Sequence, residues 1–175
     1  RRKTMDMLKP ILERRSHRSF LDKSVPEDVL ENLLKAGMFA PSAMNSQPCE
    51  FLIMKDDEKR ARTAELIHTW SMLKNAPLGI LVLMNTNGYR ASTKEFIVQD
   101  CAAATQNILL AAQAQGLGGV WLGLYPKPDI MKEISRIYDI PDHVKPFSIT
   151  AIGYPYKELR PHRTFIEHKV HVDKY

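Results

Sequence analysis

The 175-residue sequence has only two cysteines, Cys49 and Cys101, set far apart along the chain. They make no CxxC pair and no metal-ligand spacing, and they read as reduced thiols of a cytoplasmic protein. Long apolar runs are also missing. The longest, "LGILVLM" from Leu78 to Met84, is too short to span a bilayer and fits a buried strand, so no membrane role is expected. There is no signal-peptide pattern, repeat, low-complexity tract or linker, and residues 1–175 read as one domain. No GxxxxGK[ST] sequence exists to cradle a nucleotide phosphate, and no GxSxG to present a serine nucleophile. His168 and His171 lack a carboxylate or cysteine constellation and read as surface residues, with no metal site. Excess charge of one sign is small as well. With 25 basic and 20 acidic residues, net +5, the chain suits small anions and has no need of nucleic acid.

What is present alternates between helical and strand patterns, as in an α/β or α+β domain. Met5, Leu8, Ile11 and Leu12 share a helical face. In "SVPEDVLENLLKAGMFAP", Pro26 suits a first turn, Glu27 and Asp28 favour the positive end of the helix dipole, and Val29, Leu30, Leu33, Leu34 and Met38 form the apolar stripe. "PSAMNSQP" has turn formers and no periodicity, so it reads as a loop. "FLIMK" and "LGILVLMN" read as strands flanking a polar helix in "DEKRARTAELIHTW". "KEFIVQDCAAATQNILLAAQAQ" predicts a central helix of about 30 Å, buried on several sides and stopped by Gly116. A strand in "GLGGVWLGLYP", a helix in "PDIMKEISRIYDIP" and a strand in "FSITAIGYP" follow. The polar tail ends in "KVHVDKY", whose alternation resembles a strand that a second copy of the chain would receive.

"RRSHRSF", residues 14–20, packs three arginines and two serines into seven positions. Arginines at a helix C-terminus complement its dipole, which is one reading; guanidinium groups beside hydroxyls also bind phosphate, and mutual repulsion is relieved by an anion. The glycines at 116, 118 and 119 do not make a dinucleotide fingerprint. They end a helix where that motif begins one, and Trp121 occupies the third glycine position.

Taken in order, "RRSHRSF", "APSAMNSQP", "QDCAAATQNILLAAQAQGLGGVWLG" and "AIGYP" resemble the nitroreductase family of flavoproteins along almost the whole chain. The resemblance implies an α+β fold, a three-layer α/β/α sandwich assembled as a domain-swapped homodimer. It implies FMN at the dimer interface, NADH or NADPH as electron donor, and a ping-pong cycle passing hydride on to a nitroaromatic, quinone or similar small acceptor. No side chain acts as catalytic acid, base or nucleophile in such a scheme; the cofactor carries the chemistry.

Residue by residue, the resemblance gives Arg14, Arg15 and Ser16 to the FMN phosphate and ribityl chain. Arg18 corresponds to the cation beside flavin N1 and the C2 carbonyl. Pro41, Ser42 and Asn45 correspond to the second subunit's contribution, and Leu122 and Gly123 to the backbone segment facing N5 and O4. Arg163 corresponds to one of a basic pair completing the phosphate site, with Arg160 or His162 as its companion. Where many relatives have an aromatic after "QP", this sequence has Cys49. Two alternatives stand beside this reading: the same fold used for reductive dehalogenation or flavin fragmentation, and a non-catalytic flavin- or anion-binding module.

Overall fold

The computed structural model describes residues 8–87, 91–160 and 163–175. Among them, four strands form one antiparallel sheet: β1 (Cys49–Ile53), β2 (Leu78–Asn85), β3 (Gly118–Gly123) and β4 (Val144–Gly153), in the spatial order β1-β2-β4-β3. Every pairing is antiparallel, with Ile80 opposite Thr150 and Val120 opposite Ala151. The helices are α1 (Leu8–Glu13), α2 (Glu27–Met38), α3 (Asp57–Glu65), α4 (Met72–Asn75), α5 (Ile97–Ala114) and α6 (Pro128–Ile137).

The continuous apolar character of β2 follows from its position. Leu81 and Leu83 face one core with Ala64 of α3, Leu73 of α4 and Ile134 of α6. Ile80, Val82 and Met84 face a second core with Leu30 and Leu33 of α2 and Cys101 and Ile108 of α5. A strand whose two faces are both covered has no polar alternation, and each fully buried aliphatic chain contributes about 1.5–3 kcal/mol. The sheet is therefore the middle of three layers. No helix among the described residues is long and apolar enough to cross a membrane.

Several expectations change in detail. Pro26 stands at the N-cap of α2, with Glu27 and Asp28 supplying the acidic first turn. Met38 is not part of the buried stripe and is 58% exposed; it follows the buried Gly37 by one residue, a turn of about 100° around the helix. α5 starts at Ile97, and the residues before it, Ala91–Phe96, form a 3-10 helix. One face of α5 is fully buried, and the rest is half-covered in a single chain except at the exposed Gln99 and Ala114. The apolar side of α1 is exposed, Leu12 by 68%, and Met5 lies outside the described residues. "KVHVDKY" forms no strand: a short 3-10 helix, Glu167–Lys169, precedes a fully exposed end.

Candidate functional site

The segment that follows α1 is held by its backbone. His17 N–H donates to the Gly119 carbonyl at 3.1 Å, and Ser16 bridges Gly119 in the parallel sense. Further on, Leu21 N–H donates to the Tyr154 carbonyl at 2.9 Å, Tyr156 N–H donates to the Ser19 carbonyl at 3.0 Å, and Phe20 bridges Pro155. Residues 14–20 thus run along the free edge of β3 and then cross the end of β4. Three stretches singled out in the sequence, "RRSHRSF", "GLGG" and "GYP", meet here.

Strand geometry fixes which backbone groups face outward. Alternate residues point their N–H and C=O to opposite sides of a strand. Because the Gly119 carbonyl bonds His17 on the free edge, Trp121 and Gly123 face that edge too, while Val120 and Leu122 face β4. Leu122 has its side chain in the core. Gly123 is open, with no atom within 4 Å of where a β-carbon would stand. Gly119 and Gly123 are about 13 Å apart along the strand. The parallel bridge sets Ser16 beside Gly119, with Arg15 and His17 on either side of it, and by Phe20 the segment has crossed to Pro155.

Gly116, with φ of 75°, closes α5 in the left-handed conformation expected of a helix-ending glycine. Next to it, His17 is buried against Gly118. Burial, followed by the charges of Arg15 and Arg14, holds its pKa below the usual histidine value, so the ring favours the neutral form.

Arg14 is half-buried, and burial followed by the charge of Arg163 lowers its pKa from the ordinary arginine value. The two guanidinium groups therefore share one neighbourhood. Among the described residues, no carboxylate forms an ion pair with Arg14, Arg15, Arg18 or Arg163. Arg18 donates to the Ser16 carbonyl at 3.4 Å and borders a shallow cavity with His68, Ser71 and Asn75. Arg160 borders another, with His17, Gly116 and Glu158. His162 lies outside the described residues.

The loop carrying Pro41, Ser42 and Asn45 lies elsewhere. Ala43 N–H donates to Asp100 Oδ1 at 3.0 Å in the first turn of α5, and Ser42 Oγ accepts from Gln47 N–H at 2.9 Å. Met44, Asn45 and Gln47 all have positive φ, near 50°, which is strained for residues with side chains and is common where loops form sites. Ser46 Oγ is buried with no hydrogen-bond partner among the described residues. Pro41 and Ser42 border a cavity of about 370 Å³ with Phe39, Cys49 and Asp100. By contrast, Gly116 and the arginine segment sit at the C-terminal end of α5, whose 18 residues span about 27 Å. One chain does not bring Pro41, Ser42 and Asn45 together with Arg14, Arg15 and Ser16.

Three residues here were not assigned from the sequence: His17, Asp100 and Cys101. For Asp100, a signal existed in an acidic residue standing inside the largely apolar "FIVQDCAAA". Cys49 and Cys101, distant in sequence, are in contact, Sγ to Sγ at 3.0 Å.

Comparison with known proteins gives a consistent picture. The model of the Nitroreductase family matches residues 11–71 and 68–154. A protein of Methanothermobacter thermautotrophicus, provisionally named NADH dehydrogenase/NAD(P)H nitroreductase, is 38% identical over 171 residues, covering 98% of this chain and 88% of that protein. A crystal structure from Parabacteroides distasonis, under the same provisional name, superposes with a TM-score of 0.91 at 34% identity, covering 97% of this chain and 98% of the other. The FMN-dependent nitroreductase of Clostridium difficile R20291 superposes at 0.86 with 26% identity, over 95% of this chain and 98% of that one.

Proposed function

The chain belongs to the nitroreductase family, and from that premise we propose that it is an FMN-dependent NAD(P)H oxidoreductase, a homodimer that reduces nitroaromatics, quinones or similar electron-poor molecules in a ping-pong cycle. The observation that carries this reading is the edge of β3, where Ser16, between Arg14, Arg15 and Arg18 in sequence, bridges Gly119 on the strand that ends in the open Gly123.

The residues present fit FMN. Arg14 and Arg163 are two neighbouring cations with which no carboxylate among the described residues pairs, and a phosphate offsets that repulsion while accepting charge-assisted hydrogen bonds. Arg15 and the Ser16 hydroxyl extend the same polar lining. Arg18 adds a further cation to the segment, and positive charge there favours charge that develops on reduction. Gly123 offers an outward N–H with no side chain over it. Leu122, anchored in the core, fixes that strand end, and its contribution to the site is through the backbone it holds. FMN, when bound, supplies acceptance of a hydride from NAD(P)H and its delivery to a second molecule.

A second copy of the chain completes the site in this reading. Pro41, Ser42 and Asn45 lie a helix length away from the arginines of their own chain, so the partner's loop is the one that closes over the cofactor. Two surfaces support such a pairing: the exposed tail, whose apolar Phe165 and Val172 are 79% and 80% exposed, and a groove of about 660 Å³ between α1 and α5 bordered by Pro10, Ile11, Leu110 and Ala111. Exposed apolar surface of this extent marks an interaction site. Donor and acceptor would use one opening in turn, which suits a tolerant choice of acceptor.

The test is anaerobic. Adding NADH or NADPH to the purified protein should bleach the yellow flavin absorbance, and a nitroaromatic or quinone should restore it; a flavin that neither donor bleaches contradicts the assignment.

A further inference from the structure

We propose that Cys49 and Cys101 close a reversible intramolecular disulfide when the protein meets a hydroperoxide. These are the chain's two cysteines, and they come from separate elements, the first residue of β1 and the first turns of α5. Their sulfurs lie 3.0 Å apart, so bonding requires an approach of only about 1 Å. Their burial differs in a useful way. Cys49 is half-buried and borders the cavity beneath Pro41 and Ser42, whereas Cys101 is fully enclosed, with the Leu83 carbonyl 3.7 Å from its sulfur.

This asymmetry orders the chemistry. The Cys49 sulfur, as thiolate, attacks one oxygen of the hydroperoxide; the O–O bond breaks, the alcohol or water leaves, and Cys49 becomes a sulfenic acid. Cys101 sulfur then attacks Cys49 sulfur, the S–O bond breaks, and the proton of Cys101 departs with the leaving oxygen as water. Two thiols are oxidised by two electrons in total, and the hydroperoxide is reduced by two. Contact with Cys49, together with burial and the nearby Asp100 charge, keeps the Cys101 thiol protonated at rest. It therefore serves as the resolving partner and not as the first nucleophile.

The bond would join β1, which follows the 41–48 loop, to α5. Asp100, the neighbour of Cys101, holds Ala43 of that loop. An effect on cofactor binding would rest on the function proposed above; the disulfide itself does not.

Treating the purified holoprotein with hydrogen peroxide, quenching, and measuring the mass of the denatured chain tests the proposal. The expected chain is lighter by two hydrogens, yields a linked Cys49–Cys101 peptide, and regains its mass and both thiols with dithiothreitol. Three results would overturn it: oxygen added at Cys49 with Cys101 still a free thiol, two chains linked through Cys49, or two unreacted thiols. Cys49→Ser, at the half-buried position, should leave Cys101 unreacted, and Cys101→Ala should gain oxygen at Cys49. Because the readout is mass, it is independent of whether the bound cofactor turns over.

Discussion

His17 lies so close to Gly118 that a β-carbon on the glycine would stand 2.7 Å from the imidazole Cγ. The arginine segment and the glycine segment are therefore fitted to each other at one contact, alongside the backbone bond from His17 to Gly119. Gly118→Ala should lose about 1–3 kcal/mol of stability through overpacking. In a His17→Gly background the same change should cost much less, since the ring and the His17 β-carbon, which would stand 2.8 Å away, are both gone. Urea denaturation of the four proteins in this cycle checks the coupling, and equal penalties in both backgrounds contradict it.

The same histidine gives a pH dependence with a definite sign. Its folded pKa lies below the unfolded value of about 6.5, so in acid the unfolded chain binds the proton more readily. Stability supplied by the neutral ring is present above that value and is lost as pH falls through about 6.5 and below. The Tm of the flavin-free protein should drop more on acidification than that of His17→Asn. Parallel curves for the two proteins would contradict the role of His17.

Gly123 tests the difference between a structural glycine and one that leaves room. No neighbour obstructs a side chain there, so Gly123→Val should leave the flavin-free Tm nearly unchanged. Its Kd for FMN should rise at least about tenfold, a loss of about 1.4 kcal/mol, as followed by flavin fluorescence. Unaltered FMN binding would remove the outward edge of β3 from the site.

For Arg14, the informative comparison is between FMN and riboflavin, which lacks the phosphate. A charge-assisted hydrogen bond is worth about 1.5–3 kcal/mol, so Arg14→Gln should weaken FMN by about ten- to a hundredfold and leave riboflavin almost unaffected. A matching loss for both ligands would place Arg14 away from the phosphate.

Much of this architecture was legible in local pattern. β2 occupies the residues of its apolar run because burial on both faces demands unbroken hydrophobicity. Pro128 opens α6 through its fixed φ, and Gly116 closes α5 through its freedom to take a positive φ. Met38, Leu12 and "KVHVDKY" were less legible. Periodicity reports that a face is apolar, and it does not say whether the same chain covers that face.

Within the site, the arginines and the glycine segment announced themselves by composition, and their order matched a known family. Their juxtaposition depends on a short parallel bridge from Ser16 to Gly119 that leaves no local signature. Cys49 and Cys101 illustrate the same limit: a contact between β1 and α5 is made by the packing of α5 on the sheet, and nothing in their spacing anticipates it.

The central claim, that two chains jointly hold the flavin, is tested most directly by native mass spectrometry of the FMN-loaded protein. The account predicts two chains carrying two FMN molecules, with flavin lost whenever the pair dissociates. A single chain that retains its FMN would contradict it.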